Sequence, residues 1–163
     1  MIISNTIPDN AKYTSPDIQI EVIDIFTLMV KDSLQNTISQ SSVISILADT
    51  TRDKQNIEDL AIAIRFINNE GTVSEGCVSI VKLESANAES ISNSIITELQ
   101  KFSIDFNKIT SLGFDGAAVM SGDISGVHTR LNDYFGKNVP FEHCFNHLLH
   151  LAVMQIVGAH RFA

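Results

Sequence analysis

Val43-Ile44-Ser45-Ile46-Leu47-Ala48-Asp49 is the stretch on which the fold turns. It is short and nearly continuously apolar, the pattern of a strand buried inside a sheet, and it ends in an acid. A second run with the same ending lies downstream: Ile109-Thr110-Ser111-Leu112-Gly113-Phe114-Asp115. If the two runs are neighbouring parallel strands, both acids emerge at one edge of the sheet. That edge is where open α/β sheets place their ligand crevice.

Working outward, residues 60–67 form a second strand, followed by the turn signal Asn68-Asn69-Glu70-Gly71. Residues 73–83 form a third. Strict alternation places Cys77, Ser79 and Val81 on one face of it and Val78, Ile80 and Lys82 on the other. Short links favour antiparallel pairing among these strands. Upstream, residues 1–16 read as a polar lead-in, and Thr14-Ser15-Pro16-Asp17 is a helix-start signal. The helix it opens is predicted over 17–39, with Ile18, Val22, Ile25, Phe26, Met29 and Ile38 on one stripe.

After the third strand the apolar period changes. Ser85 or Asn87 caps a helix through about residue 103, with Ile91, Ile95, Leu99 and Phe102 at helical spacing. Then follow the strand ending at Asp115, a helix near 125–135, a short strand over 139–144 and a helix over 147–157. Helix and strand alternating after a meander imply parallel pairing beside the first strand. The predicted fold is α/β: a ribonuclease-H-like mixed five-stranded sheet flanked by helices. Residues 17–157 carry it, in a form truncated at the C-terminus, and 158–163 form a tail outside it.

Composition narrows the function. Hydrophobic residues make up 44% and charged residues 18%, which is globular and not disordered. No apolar stretch approaches the roughly 18 residues of a membrane-spanning helix, so no membrane role is expected. The N-terminus lacks the basic and apolar regions of a secretory signal. The two cysteines suit a reducing, intracellular compartment. A net charge of -8 argues against a stand-alone nucleic-acid grip, which is led by Lys and Arg. It is compatible with a metal-dependent nuclease core, whose own site is acidic.

Asp49 and Asp115 are the candidate ligands of a hard divalent cation, Mg2+ or Mn2+. Neighbouring strands would hold them about 4.8 Å apart along the sheet. Gly113 and Gly116 would let the backbone turn tightly beside the second acid. Taken singly, an Asp after a strand is more often a turn former or helix cap, and the pairing is what raises the weight of these two. Asp53, Glu58 and Asp59 read as solvated loop charges.

His143-Cys144-Phe145-Asn146-His147-Leu148-Leu149-His150 has zinc-like spacing. A structural zinc site draws ligands from two separated segments, and the chain has no second Cys/His pair. A packed junction between strand and helix is the preferred reading, and zinc the minority one. Ser121-Gly122 and Ser125-Gly126 read as a turn and a helix start and match no Walker pattern. His128 reads as an unpartnered surface or core histidine, and Cys77 as core.

Four runs resemble the hAT-type transposases in order and spacing: ILADTTRDKQNIEDLAIAIRFI (46–67), ESANAESISNSIITELQKF (84–102), SLGFDGAAVMSGDISGVHTRL (111–131) and FEHCFNHLLHLAV (141–153). They are most similar to the branch of zinc-finger MYM-type proteins and the repressor-of-the-inhibitor-of-protein-kinase group. The resemblance covers roughly 17–155. It implies a ribonuclease-H-like domain whose acidic triad binds Mg2+ or Mn2+, with Asp49 as first acid and Asp115 as second. It carries the C-x-x-H element onto Cys144 and His147. The family's third acid, a Glu, follows a large helical insertion that this chain does not contain. His150 stands where a small polar residue is usual. The implied setting is the nucleus, with DNA bound through a full-length protein and the fragment itself inactive. The alternative is a domesticated, non-catalytic module that binds a protein partner or forms a homo-oligomer.

Overall fold

The computed structural model describes residues 13–159, apart from 53, 56, 116, 123 and 124. The expectation on Gly116 and that on Asp53 therefore lie outside the described residues, as do most of the lead-in and the end of the tail. The elements are α1 (Pro16–Gln40), β1 (Ile44–Arg52), β2 (Glu58–Ile67), β3 (Val73–Leu83), α2 (Ala88–Lys101), a 3-10 turn (Phe106–Lys108), β4 (Ile109–Phe114), α3 (Ala118–Ser121), α4 (Val127–Phe135), β5 (Phe141–His143) and α5 (Phe145–Ala159). They fall into two units, Met1–Asn36 and Thr37–Ala163.

The first unit holds most of α1. Its start is the one the sequence signals: Pro16 is the first helical residue, and the Ser15 Oγ accepts the N–H of Ile18 at 3.4 Å. Of the predicted apolar stripe, Val22, Ile25, Phe26 and Met29 are exposed, whereas Ile38, in the second unit, is buried.

The second unit holds one sheet in the order β3-β2-β1-β4-β5. β1–β2 and β2–β3 are antiparallel, whereas β4 runs parallel to β1 and β5 parallel to β4. This is the predicted mixed five-stranded sheet, with β1 at its centre. One face carries the core: Ile44 and Ile46 of β1, Leu60, Ile62 and Ile64 of β2, and Leu112 and Phe114 of β4 are buried. Ile91, Ile95 and Leu99 of α2 and Val127 and Leu131 of α4 are buried as well. α2 packs on β3 and α4 on α2. Each such aliphatic side chain taken from water contributes on the order of 1.5–3 kcal/mol.

The opposite face is open. Ser45, Leu47, Ala61 and Ala63 are half-buried there, and Asp49, Arg65 and Cys77 are exposed. The expectation that Cys77 is core is corrected by this placement. The faces of β3 also differ from strict alternation. Ile62 pairs with Ser79 and Ala63 with Cys77, so Val78 is the extra residue of a bulge. One alternation is thereby skipped, and Cys77, Ile80 and Lys82 share the open face while Ser79 and Val81 lie on the other.

Local signals set the helix ends. The Asn87 Oδ1 accepts the N–H of Ser90 at 2.8 Å and caps α2. Gly136 closes α4 in the left-handed region at φ 65°, a conformation that suits glycine. His128 is not unpartnered: its Nε2–H donates to the Val139 carbonyl at 2.9 Å, and the Asn132 Oδ1 accepts the Val139 N–H at 3.0 Å. The Lys137 Nζ donates to the Ile109 carbonyl at 2.7 Å. These bonds tie the chain leaving α4 to the start of β4 and so bring β5 into line beside it.

Gly126 makes a close backbone approach. A Cβ there would sit 2.5 Å from the Gly122 nitrogen and 2.6 Å from its oxygen. That oxygen also accepts the Gly126 N–H and the Thr129 hydroxyl, both at 3.0 Å. Backbone cannot move aside as a side-chain tip can. Gly126→Ala is therefore expected to cost about 1–3 kcal/mol, read as a lower urea midpoint. An unchanged midpoint would mean that the turn before α4 relaxes freely.

Candidate functional site

Two features of the sheet position the predicted acids. β1 and β4 pair in parallel through Leu47 and Gly113, and β4 pairs with β5 through Gly113 and Glu142. Leu47, Gly113 and Glu142 thus form one row across three neighbouring strands. Two residues further along each chain stand Asp49, Asp115 and Cys144. Asp49, opposite Ala61, lies on the open face, and Asp115 and Cys144 continue the row by chain position, just past the ends of β4 and β5.

The strand ends differ from expectation at one of the acids. β1 does not stop at Asp49 but continues to Arg52, because its other edge stays paired with β2: Asp49 opposes Ala61 and Arg52 opposes Glu58. The Arg52 Nη2 donates to the Glu58 Oε1, which pins the last pair and takes Glu58 out of the free loop charges. Asp49 is therefore presented from within a paired strand and is exposed. Asp115 lies just past the end of β4 and is half-buried. Its Oδ1 accepts the Ala117 N–H at 3.4 Å, a turn-forming contact.

Gly113 keeps the row below the acids flat. A Cβ at Gly113 would meet the Leu47 Cδ2 at 2.7 Å. The Leu47 side chain thus occupies the space that a Cβ at Gly113 would need.

The Cys144–His147 element is positioned beside the second acid. The Cys144 N–H donates to the Phe114 carbonyl at 2.8 Å, extending the β4–β5 ladder by one residue. The Cys144 carbonyl then accepts the Leu148 N–H at 3.1 Å and starts α5. His147, one turn on, is half-buried, whereas Cys144 and His150 are exposed. The junction is less packed than the sequence suggests, since Phe145 and Leu149 are also exposed.

Glu142 is an acid that sequence reasoning passed over. It is exposed and one row below Asp115 on the same face. The signal was available in the period of two that puts residues 142 and 144 on one side of a strand.

The donor chemistry fits a hard divalent cation. Two carboxylates would offer oxygen donors of the kind such an ion takes, alongside waters that it keeps. Among the described residues no group of three or more His, Cys, Asp or Glu side chains comes together to hold a metal. Also among the described residues, no helix is long and apolar enough to cross a membrane.

The chain is similar to several solved structures. The catalytic domain of human Endonuclease V shares 13% identity over 68% of this chain and 55% of that one, with a TM-score of 0.42. Endonuclease V of Ciona intestinalis, solved with a 24mer DNA containing an inosine followed by a ribo-adenosine, shares 15% over 72% and 55%, with a TM-score of 0.38. YeaZ from Pseudomonas aeruginosa shares 11% over 62% and 43%, with a TM-score of 0.32. The chain spans about half the length of these proteins. Residues 1–126 match the ZMYM1/FAM200 RNase-like domain family, DUF4371, and include both strands that carry the acids. The chain, with its mixed five-stranded sheet, belongs to that family of RNase-like domains.

Proposed function

We infer that the chain is part of the catalytic domain of a hAT-type DNA transposase, or of a nuclear protein derived from one, and that Asp49 and Asp115 bind Mg2+ or Mn2+. The observation that carries this reading is that Asp49 on β1 and Asp115, just past the end of β4, continue by chain position the row in which Leu47 pairs with Gly113 on adjacent parallel strands. When bound, such a cation polarises a phosphodiester and lowers the pKa of the attacking water or 3′-hydroxyl. The residues of this chain have simpler tasks. The ladder to β2 holds Asp49 in place. The Ala117 N–H orients the Asp115 carboxylate. The Cys144 N–H, bonded to the Phe114 carbonyl, holds the Cys144–His147 element beside the end of β4. The net charge of -8 means that the basic contacts to DNA phosphates come from other parts of a longer protein or from a partner.

Titrating the chain with Mn2+ while recording its paramagnetic signal tests the reading. One saturable site is expected, lost in Asp49→Asn and in Asp115→Asn. Binding that survives both substitutions would place the metal elsewhere. The two-acid site is expected to bind metal without cutting, because the resemblance assigns a third acid to a segment outside these residues. Mn2+-dependent nicking of DNA by the 163-residue chain, abolished by Asp49→Ala, would overturn that part.

A specific observation favours a second reading, an interaction module without catalysis. α5 carries no charged residue and exposes Phe145, Leu149, Met154 and Ile156. Surface of this kind is normally covered by a partner. A chain that binds a protein partner or itself but takes up no Mn2+ fits this reading and not the first.

A further inference from the structure

β3 is the outer strand of the sheet, with β2 on one side, and is 11 residues long. A long edge strand offers a row of backbone N–H and C=O groups to any strand that can match it. We propose that β3 pairs antiparallel with β3 of a second copy of this chain, about a two-fold axis between Val78 and Ser79, joining the two sheets into one.

The register follows from the bulge. About that axis Glu75 stands opposite Lys82 of the copy, Gly76 opposite Val81, and Cys77 opposite Ile80. In a regular strand the two members of each pair, an odd number of residues apart, would lie on opposite faces. The extra residue Val78 removes one alternation. Cys77 and Ile80 pair with Ala63 and Ala61 on the open face, while Gly76 and Val81 pair with Ile64 and Leu60 on the core face. Every cross-copy pair then shares a face, as directly opposed residues in an antiparallel ladder must. Moving the axis so that Glu75 meets Val81 breaks that match.

Charge agrees with the same register. Within one chain Arg65 opposes Glu75 and is ion-paired with it, and Asp59 opposes Lys82. Across the joined sheet a single row therefore reads Arg65, Glu75, Lys82 of the copy and Asp59 of the copy, alternating in sign over four strands. The symmetry repeats the row on the other side of the axis. Between the two rows lies Ile80, 68% exposed in the single chain, which the partner strand would cover in part. A bulge and a lysine on a lone edge strand are also devices that keep other strands away. Guarding alone requires neither matched faces nor alternating charge.

The experiment is sedimentation of the full chain over a concentration series, with far-UV circular dichroism as the check on folding. A monomer–dimer equilibrium is expected. Lys82→Glu should weaken it by about tenfold or more, because two opposed attractive pairs become repulsive. Glu75→Lys combined with Lys82→Glu should recover it. A second readout holds even if Lys82→Glu folds poorly. With Cys144→Ala as background, I80C should give under mild oxidation a covalent dimer whose disulfide joins Cys77 to the thiol introduced by I80C. A chain that stays monomeric up to its solubility limit overturns the proposal. So does a dimer that neither Lys82→Glu weakens nor I80C crosslinks.

Discussion

Replacing Phe114 with alanine is expected to destabilise the sheet unit by about 3–5 kcal/mol, the largest effect of any single truncation considered. Phe114 is 1% exposed and the bulkiest of the fully buried side chains. It sits at the end of β4, between β1 and β5, where its ring lies 5.9 Å from that of Phe141 in a tilted contact. Truncation removes the transfer free energy of the ring and leaves a void that the strands on either side cannot close. The same residue's carbonyl holds the Cys144 N–H, so loosening at this point reaches the row of candidate ligands directly. Phe141→Ala should cost less, since Phe141 is only half-buried on the edge strand. Urea unfolding with an unchanged slope measures both. A loss below about 1 kcal/mol at Phe114 would show that this end of the sheet repacks without strain.

The second large effect is the disappearance of metal-dependent stabilisation in Asp115→Asn. A ligand that binds only the folded chain raises its stability by about 2.7 kcal/mol at a hundredfold excess over its dissociation constant. On the proposed reading Mn2+ should raise the melting temperature of the wild-type chain and leave that of Asp115→Asn unmoved. Asparagine keeps the Oδ1 that accepts the Ala117 N–H, so the local turn survives the substitution. It also removes a like charge from the row that contains Asp49. Without metal, Asp115→Asn is thus expected to be as stable as wild type or slightly more so. A loss of more than about 1 kcal/mol without metal would make Asp115 a structural turn former. An equal Mn2+ shift in both proteins would remove it from the metal site.

The alternation of apolar residues was enough to locate the sheet. Residues 60–67, 73–83 and 109–114 carry local apolar patterns whose extents survive into β2, β3 and β4 with little change. The parallel neighbouring of β1 and β4 was also legible, through the change from meander to alternating helix and strand. So was the place of Asp49 on β1 and of Asp115 just past β4, since both depend on chain order. Tertiary structure decided the rest. β1 runs past Asp49 because β2 continues beside it, and Arg52 closes on Glu58 across that pair, a non-local contact with no periodic trace. The bulge at Val78 moved Ile80 and Lys82 to the face of Cys77, because register across strands, and not the sequence of one strand, sets which residue is extra. Cys77 and most of α1 proved exposed for a related reason. Composition makes a residue fit to be buried, but burial needs a partner surface that only the assembled fold, or a second chain, can provide.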